Sequence, residues 1–410
     1  MYLYSYPLKP PRRAFGCLIA ALIMICGLGQ VAMAASPVRA LTINVSESDR
    51  ITHIAIEMSR SVKASLFTLD RPFRLVVDFP TVDFGGLERK KLQRSGMVQD
   101  YRFGPLSKGM SRLVLDIARP FKLIDARAEY PENGNARLRF DLAPVSLVSF
   151  RRQGVPPQLT PNIGLRGTTV NQAKARKNKP VIVVDPGHGG LDPGAAGYGR
   201  IQEKRLVLKV GLALRDRLRA TNRFKVVMTR DRDVFVPLDE RVEIARKVQA
   251  DLFVSLHADA IAQQNLASSI SGATIYTLSK RASDARAKRL ADKENAVDQL
   301  AGLPIAAIAA RDKVEGILYD LMRRETVSRT GQFKDYLVRS MSRQIAVARS
   351  PHRSAAFRVL RQPQTPSVLI ELGYMSNPSE LRRMQTKAWQ RAAVSAIASA
   401  IQTYFDTHGN

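Results

Sequence analysis

From Pro180 onward, short apolar runs alternate with stretches of helical periodicity, and this alternation constrains the chain more than any other feature. Val181-Ile182-Val183-Val184 is a run of four β-branched residues, which suits a strand buried on both faces. Leu206 to Leu218 then repeats apolar residues at helical spacing. Lys225 to Thr229 reads as a strand, Leu238 to Gln249 as a helix and Asp251 to Leu256 as a strand. Gly272 to Leu278 and Ser367 to Glu371 add two further strands. Strands alternating with helices predict an α/β domain whose sheet is mostly parallel and flanked by helices. The segment from Lys280 to about Gly331 departs from this rhythm, being long, helical and set between two strands. An insertion of that size in a compact domain calls for a task of its own.

In an open α/β sheet, sites gather beyond the carboxyl ends of the strands. Two of the five histidines stand there. His188 follows the first strand within Asp185-Pro186-Gly187-His188-Gly189-Gly190, and His257 follows Phe253-Val254-Ser255-Leu256. The glycines around His188 permit a tight turn. Glu203 stands at the start of the Leu206–Leu218 helix, where the loop from His188 ends. Two imidazoles and one carboxylate suit tetrahedral zinc with one position left for water. Glu371 closes the last apolar strand, so a fourth chemically active group is expected at the same edge.

The region before Pro180 differs in kind. Between about Leu41 and Leu142 a phrase recurs three times: Arg74-Leu75-Val76-Val77-Asp78-Phe79, Arg112-Leu113-Val114-Leu115-Asp116-Ile117 and Arg137-Leu138-Arg139-Phe140-Asp141-Leu142. A proline follows each within three residues, which predicts short strands of an antiparallel, all-β sandwich. The repeat fits a binding module and equally the β-pattern of any small sandwich. From Arg151 to Lys179 the chain is polar, basic and rich in proline and glycine, as an interdomain linker would be. A basic linker also suits an anionic surface.

At the N-terminus, Lys9, Arg12 and Arg13 precede an apolar run from Ala14 to Val31 and an Ala32-Met33-Ala34 site. Together they read as a cleaved secretory signal over residues 1–34 rather than a membrane anchor. Arg12-Arg13-Ala14-Phe15 also resembles a twin-arginine export signal. Both cysteines, Cys17 and Cys26, fall inside this segment, so the mature chain would hold neither disulfides nor thiolate ligands. The formal charge is +28, and removal of three positive charges and no acid leaves +25. Such a charge favours a polyanionic partner. For an exported chain, anionic lipid or the acidic peptides of the cell wall fit better than nucleic acid, for which no aromatic-basic motif is present.

The motifs resemble those of the zinc-dependent N-acetylmuramoyl-L-alanine amidases of the cell-separation type, which carry an N-terminal AMIN domain. The resemblance rests on Val184 to Ala195, Glu203-Lys204, Thr229-Arg230 with Leu238 and Arg241, Ser255-Leu256-His257-Ala258-Asp259, and Val368 to Asn377. It implies that His188, Glu203 and His257 bind Zn2+ and that Glu371 is the catalytic carboxylate. Asp259 would either coordinate weakly or orient His257, and Arg230 and Asn377 would serve structure. The domains expected are a signal peptide at 1–34, an AMIN-like sandwich at 35–150, a basic linker at 151–179 and the catalytic domain at 180–410. The inserted segment at about 280–331 lies inside the last of these.

Related amidases insert a helix that blocks the site, with a carboxylate in the open zinc position. Here the matching stretch is Ala291-Asp292-Lys293-Glu294-Asn295-Ala296. Glu294 is the candidate plug, with Asp292 and Asp298 as rivals. The resemblance also implies a LytM-domain-type activator protein, for which the apolar run Leu300–Ala309 offers a docking surface. The expected substrate is peptidoglycan and the expected compartment the periplasm. Another zinc hydrolase of the wall, a peptidase or deacetylase, and a non-catalytic wall-binding protein are the competing readings.

Overall fold

A computed structural model describes residues 37–408 apart from 63, 71, 88–95, 108, 130–134, 153–178, 198–200, 262–269, 304–322 and 363. The expected signal peptide, most of the expected linker and Pro304 to Ala309 therefore lie outside the described residues. No described helix is long and apolar enough to cross a membrane.

The N-terminal region is built from β1 (Val38–Ser48), β2 (Ile51–Met58), β3 (Ser65–Asp70), β4 (Phe73–Pro80), β5 (Val82–Asp83), β6 (Val98–Ser107), β7 (Met110–Ile117), β8 (Phe121–Glu129) and β9 (Ala136–Pro144). They form a five-stranded sheet, β5-β1-β2-β9-β8, and a four-stranded sheet, β3-β4-β7-β6. All pairs are antiparallel except β1 with β5. Alternate residues such as Ile54, Ile56, Leu75, Val77, Leu113, Leu115, Leu138 and Phe140 fill the core between the sheets. A short helix, α1 (Leu147–Arg152), closes one end by packing Phe150 against Phe73 and Phe121. The three recurring phrases lie on β4, β7 and β9. Antiparallel register sets Arg74 opposite Asp116 and Asp78 opposite Arg112, so the first two phrases pair with each other.

The second region contains β10 (Val181–Pro186), α2 (Glu203–Ala220), β11 (Lys225–Met228), α3 (Leu238–Lys247), β12 (Leu252–His257), β13 (Ala273–Leu278), α4 (Ala285–Asn295) and α5 (Val297–Leu300). It continues with α6 (Arg323–Ser342), β14 (Val347–Ala355), β15 (Ser367–Glu371), α7 (Pro378–Gln385) and α8 (Lys387–His408). The sheet order is β11-β10-β12-β15-β13-β14, and every pair is parallel except β13 with β15. Leu206, Leu214, Phe333, Leu337 and Ile397 from α2, α6 and α8 cover one face, while Leu238, Ala245, Ala287, Leu290 and Phe357 cover the other. Burial on both faces explains the unbroken apolar runs. After β10 the chain moves first to β11 on one side and then to β12 on the other. This reversal opens a crevice at the carboxyl ends of β10 and β12, where the two histidines stand.

One strand escapes the sequence pattern. β14 is largely polar and contains Pro351, yet it pairs with β13 as an outer strand, the position in a sheet where proline is tolerated. The helix α6 also runs past Gly331 to Ser342, so the helical stretch ends later than its expected boundary.

Candidate metal centre

The loop after β10 is shaped by its backbone. His188 adopts φ of 59°, followed by Gly189 at 126° and Gly190 at 57°. A left-handed histidine is unfavourable unless its surroundings enforce it. Two buried arginines do so. Arg230 donates to the carbonyls of Pro186 and Gly187, and Arg241 donates to those of Pro186 and His188. Arg241 also pairs with the fully buried Asp185 at 2.7 Å, whose oxygens accept from Thr229 and Ser255 as well. Burial opposes the Asp185 charge, but these partners outweigh it and hold its pKa below the ordinary value. At Gly187 an added Cβ would lie 2.4 Å from the His257 ring, so glycine there lets the two histidine loops meet.

His188, Glu203 and His257 converge as a buried cluster whose ligand atoms all lie within 4.8 Å of one another. His188 Nε2 is 3.1 Å and His257 Nδ1 is 3.2 Å from Glu203 Oε1. A small divalent ion such as zinc, with bonds of about 2.1 Å, sets neighbouring tetrahedral ligands about 3.4 Å apart, so these spacings fit such an ion. The donor chemistry fits as well. His188 Nε2 is buried without a hydrogen-bond partner, while its Nδ1 is held by Asp192 Oδ2 at 2.7 Å. The carboxylate thus orients the ring and aims the other nitrogen into the cluster. Glu203 is fixed by backbone amides. Its Oε2 accepts from Ala195 and its Oε1 from Ala258, each at 2.8 Å. Burial opposes the Glu203 charge, yet the two histidines drive its pKa well below the ordinary value.

Glu371 is fully buried and lies opposite His257 in the parallel pair of β12 and β15. Its Oε2 accepts from the Asp259 amide at 2.8 Å, and its Oε1 is buried with no partner. Burial, reinforced by the charges of Asp259, Glu203 and Glu294, raises its pKa well above the carboxylate norm. Such a group suits proton transfer.

The three plug candidates separate clearly. Glu294, on α4, places Oε2 3.5 Å from both His188 Nε2 and His257 Nδ1. Asp292 faces outward and pairs with Lys288. Asp298 is buried elsewhere, accepting from the Leu238 amide and pairing with Arg358. Helix α4 is seated by the ion pair of Lys293 with Asp259, by Asn295 donating to the Ala356 carbonyl, and by Arg286 over the Tyr374 ring at 4.3 Å. What remains beside the imidazoles is a cavity of about 10 Å³ lined by His188, His257, Glu294 and Phe357, room for one water at most.

Asp259 does not reach His257 through any described hydrogen bond; its side chain turns to Lys293 and its amide to Glu371. Arg230 braces the loop, and Asn377 caps α7 by accepting from the amides of Ser379 and Glu380. Sequence reasoning passed over Asp192. Its spacing of four residues from His188 in a glycine-rich turn was the available signal. The start of the expected docking run also differs from expectation. Leu300 is half exposed, but Ala301 is fully buried with Leu106, Leu191 and Phe235, and Leu303 packs against them.

The N-acetylmuramoyl-L-alanine amidase family profile matches residues 182–403, and the AMIN domain profile matches 42–142. The chain is 32% identical over 376 residues to the N-acetylmuramoyl-L-alanine amidase AmiC of Neisseria meningitidis, covering 88% of each chain. It is 28% identical to AmiC of an Escherichia coli O6:H1 strain, covering 94% of each. It is 36% identical to the amidase AmiA of Escherichia coli K12, over 60% of this chain and 82% of that one. The family profile spans the sheet that carries both histidines, Glu203 and Glu371, so this chain belongs to the N-acetylmuramoyl-L-alanine amidases, hydrolases of peptidoglycan.

Proposed function

We propose that this amidase is zinc-dependent, cuts the amide between N-acetylmuramic acid and L-alanine during daughter-cell separation, and is closed by its own helix until a partner opens it. The observation that carries this reading is the placing of Glu294 Oε2 3.5 Å from both imidazole nitrogens that face Glu203. In this reading His188, Glu203 and His257 would hold Zn2+, and Glu294, 3.5 Å from both imidazole nitrogens, would shield the site from substrate. When bound, zinc polarises the substrate carbonyl and lowers the pKa of water toward about 7. Glu371 takes a proton from the attacking water and returns it to the amine of L-alanine as the C–N bond breaks. Asp192 keeps His188 in one tautomer and orientation. Asp259 makes no described hydrogen bond to His257; it anchors Lys293 and, through its amide, the Glu371 carboxylate.

The proposal extends to organisation. Residues 1–34 are a signal peptide, by the general or the twin-arginine route, that delivers the enzyme to the periplasm. Residues 35–150 form the AMIN-like targeting domain, 151–179 the basic linker and 180–410 the catalytic domain. An activator of the LytM-domain type withdraws α4, the inserted helix. Digestion of purified sacculi with the zinc-loaded chain and its Glu294→Ala variant, followed by mass spectrometry, tests the chemistry. The expected products are stem peptides with a free L-alanine amine and intact glycan strands. Peptides cut internally, or deacetylated sugars, would reassign the enzyme to another class of wall hydrolase.

A further inference from the structure

The paired phrases on β4 and β7 leave one observation unexplained. The outer face of the four-stranded sheet is not exposed. Val76 and Val114, which point away from the sandwich core, are fully buried, and both lie against Gly302. Around them three arginines reach the carbonyl end of α5, within the inserted segment. Arg74 Nη1 donates to the Gln299 carbonyl at 2.6 Å, and Arg102 Nε to the Leu300 carbonyl at 2.6 Å. Arg112 Nη1 donates to the carbonyls of Ala301 and Gly302 at 3.0 and 3.2 Å. Gln299 and Leu300 end α5 and Ala301 and Gly302 follow it; backbone carbonyls at such a helix end lack partners farther along the helix, although that of Gln299 also accepts the Gly302 amide.

The acids of the phrases hold the arginines in place. Asp78 binds Arg112 through both oxygens at 2.6 and 2.8 Å, and Asp116 binds both Arg74 and Arg102. The third phrase lies in the other sheet, where Arg137 pairs with Glu57 instead. The same sheet also abuts the metal loop. Phe235 donates its amide to the Pro105 carbonyl, and a Cβ on Gly104 would lie 2.6 Å from the Leu191 backbone nitrogen. One face of the sandwich therefore touches both the loop that carries His188 and the segment that carries Glu294.

We infer that the Arg74–Arg102–Arg112 row is a latch: the AMIN domain grips the carbonyl end of the inhibitory segment and so holds Glu294 in the site. The inference rests on the reading of Glu294 as a plug. Release of the row removes one restraint on α5, beside the contacts of Asp298 with Leu238 and Arg358, and so weakens the seat of α4 behind it. Whatever draws the AMIN face away from the catalytic domain then acts in the same direction as an activator that pulls on the helix.

The test uses the full zinc-loaded chain, with Arg102→Ala as the first variant because Asp116 keeps Arg74 as a partner. Basal release of peptide from sacculi without an activator is expected to rise about tenfold, the effect of one lost hydrogen bond to a charged donor. Hydrogen exchange at the amides of Ala301 to Leu303 is expected to quicken in step, with the thermal midpoint close to the parent's. Arg102→Lys keeps the charge but lacks the fork that serves Leu300 and Asp116 together, and replaces Arg102→Ala if that variant folds poorly. Arg137→Ala, in the third phrase, should leave both readings at the parental level. Parental activity and parental exchange in Arg102→Ala would overturn the latch. Glu294→Ala in the same assay separates the two ideas. If it is active and Arg102→Ala is not, the plug stands and the latch falls. If Glu294→Ala is no more active than the parent, the plug reading falls, and the exchange rates alone decide whether the arginine row clamps the segment.

Discussion

Glu203 and Glu294 bring carboxylate oxygens to the same two imidazoles, but the chain holds them differently. Glu203 begins α2 with 0% exposure, and each of its oxygens accepts a backbone amide. Glu294 sits late in α4, with Oε1 buried without a hydrogen-bond partner, 3.7 Å from Lys293 Nζ. Its helix buries Ala287, Leu290 and Ala291 against the sheet and is tied further by side chains, namely Lys293, Asn295 and Arg286. Backbone donors on fixed loops resist displacement, whereas side-chain contacts along one helix can be exchanged for contacts to a partner. In the proposed reading the same charge at the same cluster serves two purposes, one permanent and one reversible.

The comparison breaks most visibly at Glu203. Glu203→Ala should abolish both bound zinc, measured by atomic emission, and peptide release. It also strands the Ala195 and Ala258 amides, costing about 1–3 kcal/mol for each in thermal unfolding. Full zinc content in that variant would remove Glu203 from the ligand set. Glu371→Gln should retain one zinc and lose turnover by about 10²–10⁴-fold, the usual share of a general acid-base group. A variant that keeps turnover would mean another group moves the proton. Asp192→Asn should weaken zinc affinity by about 10–100-fold in competition with a chelator, because His188 loses its oriented partner. Unchanged affinity would make the Asp192 contact incidental. Glu294→Ala has the smallest effect and the opposite sign: basal activity without an activator should rise about tenfold, as for a two-state closure of modest depth. A fall in activity with zinc intact would turn Glu294 from a plug into part of the working site.

How much of this was legible beforehand depended on how local each signal was. The apolar runs of β10, β12 and β15 and the periodicity of α2 and α3 announced the sheet and its helices, because burial on both faces writes itself into consecutive residues. The site residues were legible for a related reason: His188, His257 and Glu371 each end such a run. β14 was not, since an outer strand needs no apolar face and its Arg349, Pro351 and Arg353 read as loop. Asp192 was passed over because its partner is defined by a left-handed turn. The meeting of Arg74 with Asp116 depends on register between strands almost forty residues apart, and the burial of Ala301 depends on the packing of two domains. Neither leaves a local trace.

The left-handed His188 has an evolutionary consequence. Its backbone takes a conformation that glycine adopts without strain, while its ring holds the buried Asp192, so His188→Gly would trade backbone strain for a buried carboxylate without its partner. In the proposed reading the imidazole is kept there for the metal, so the identity of residue 188 in a descendant of this chain would report whether the lineage still cuts its wall with this domain.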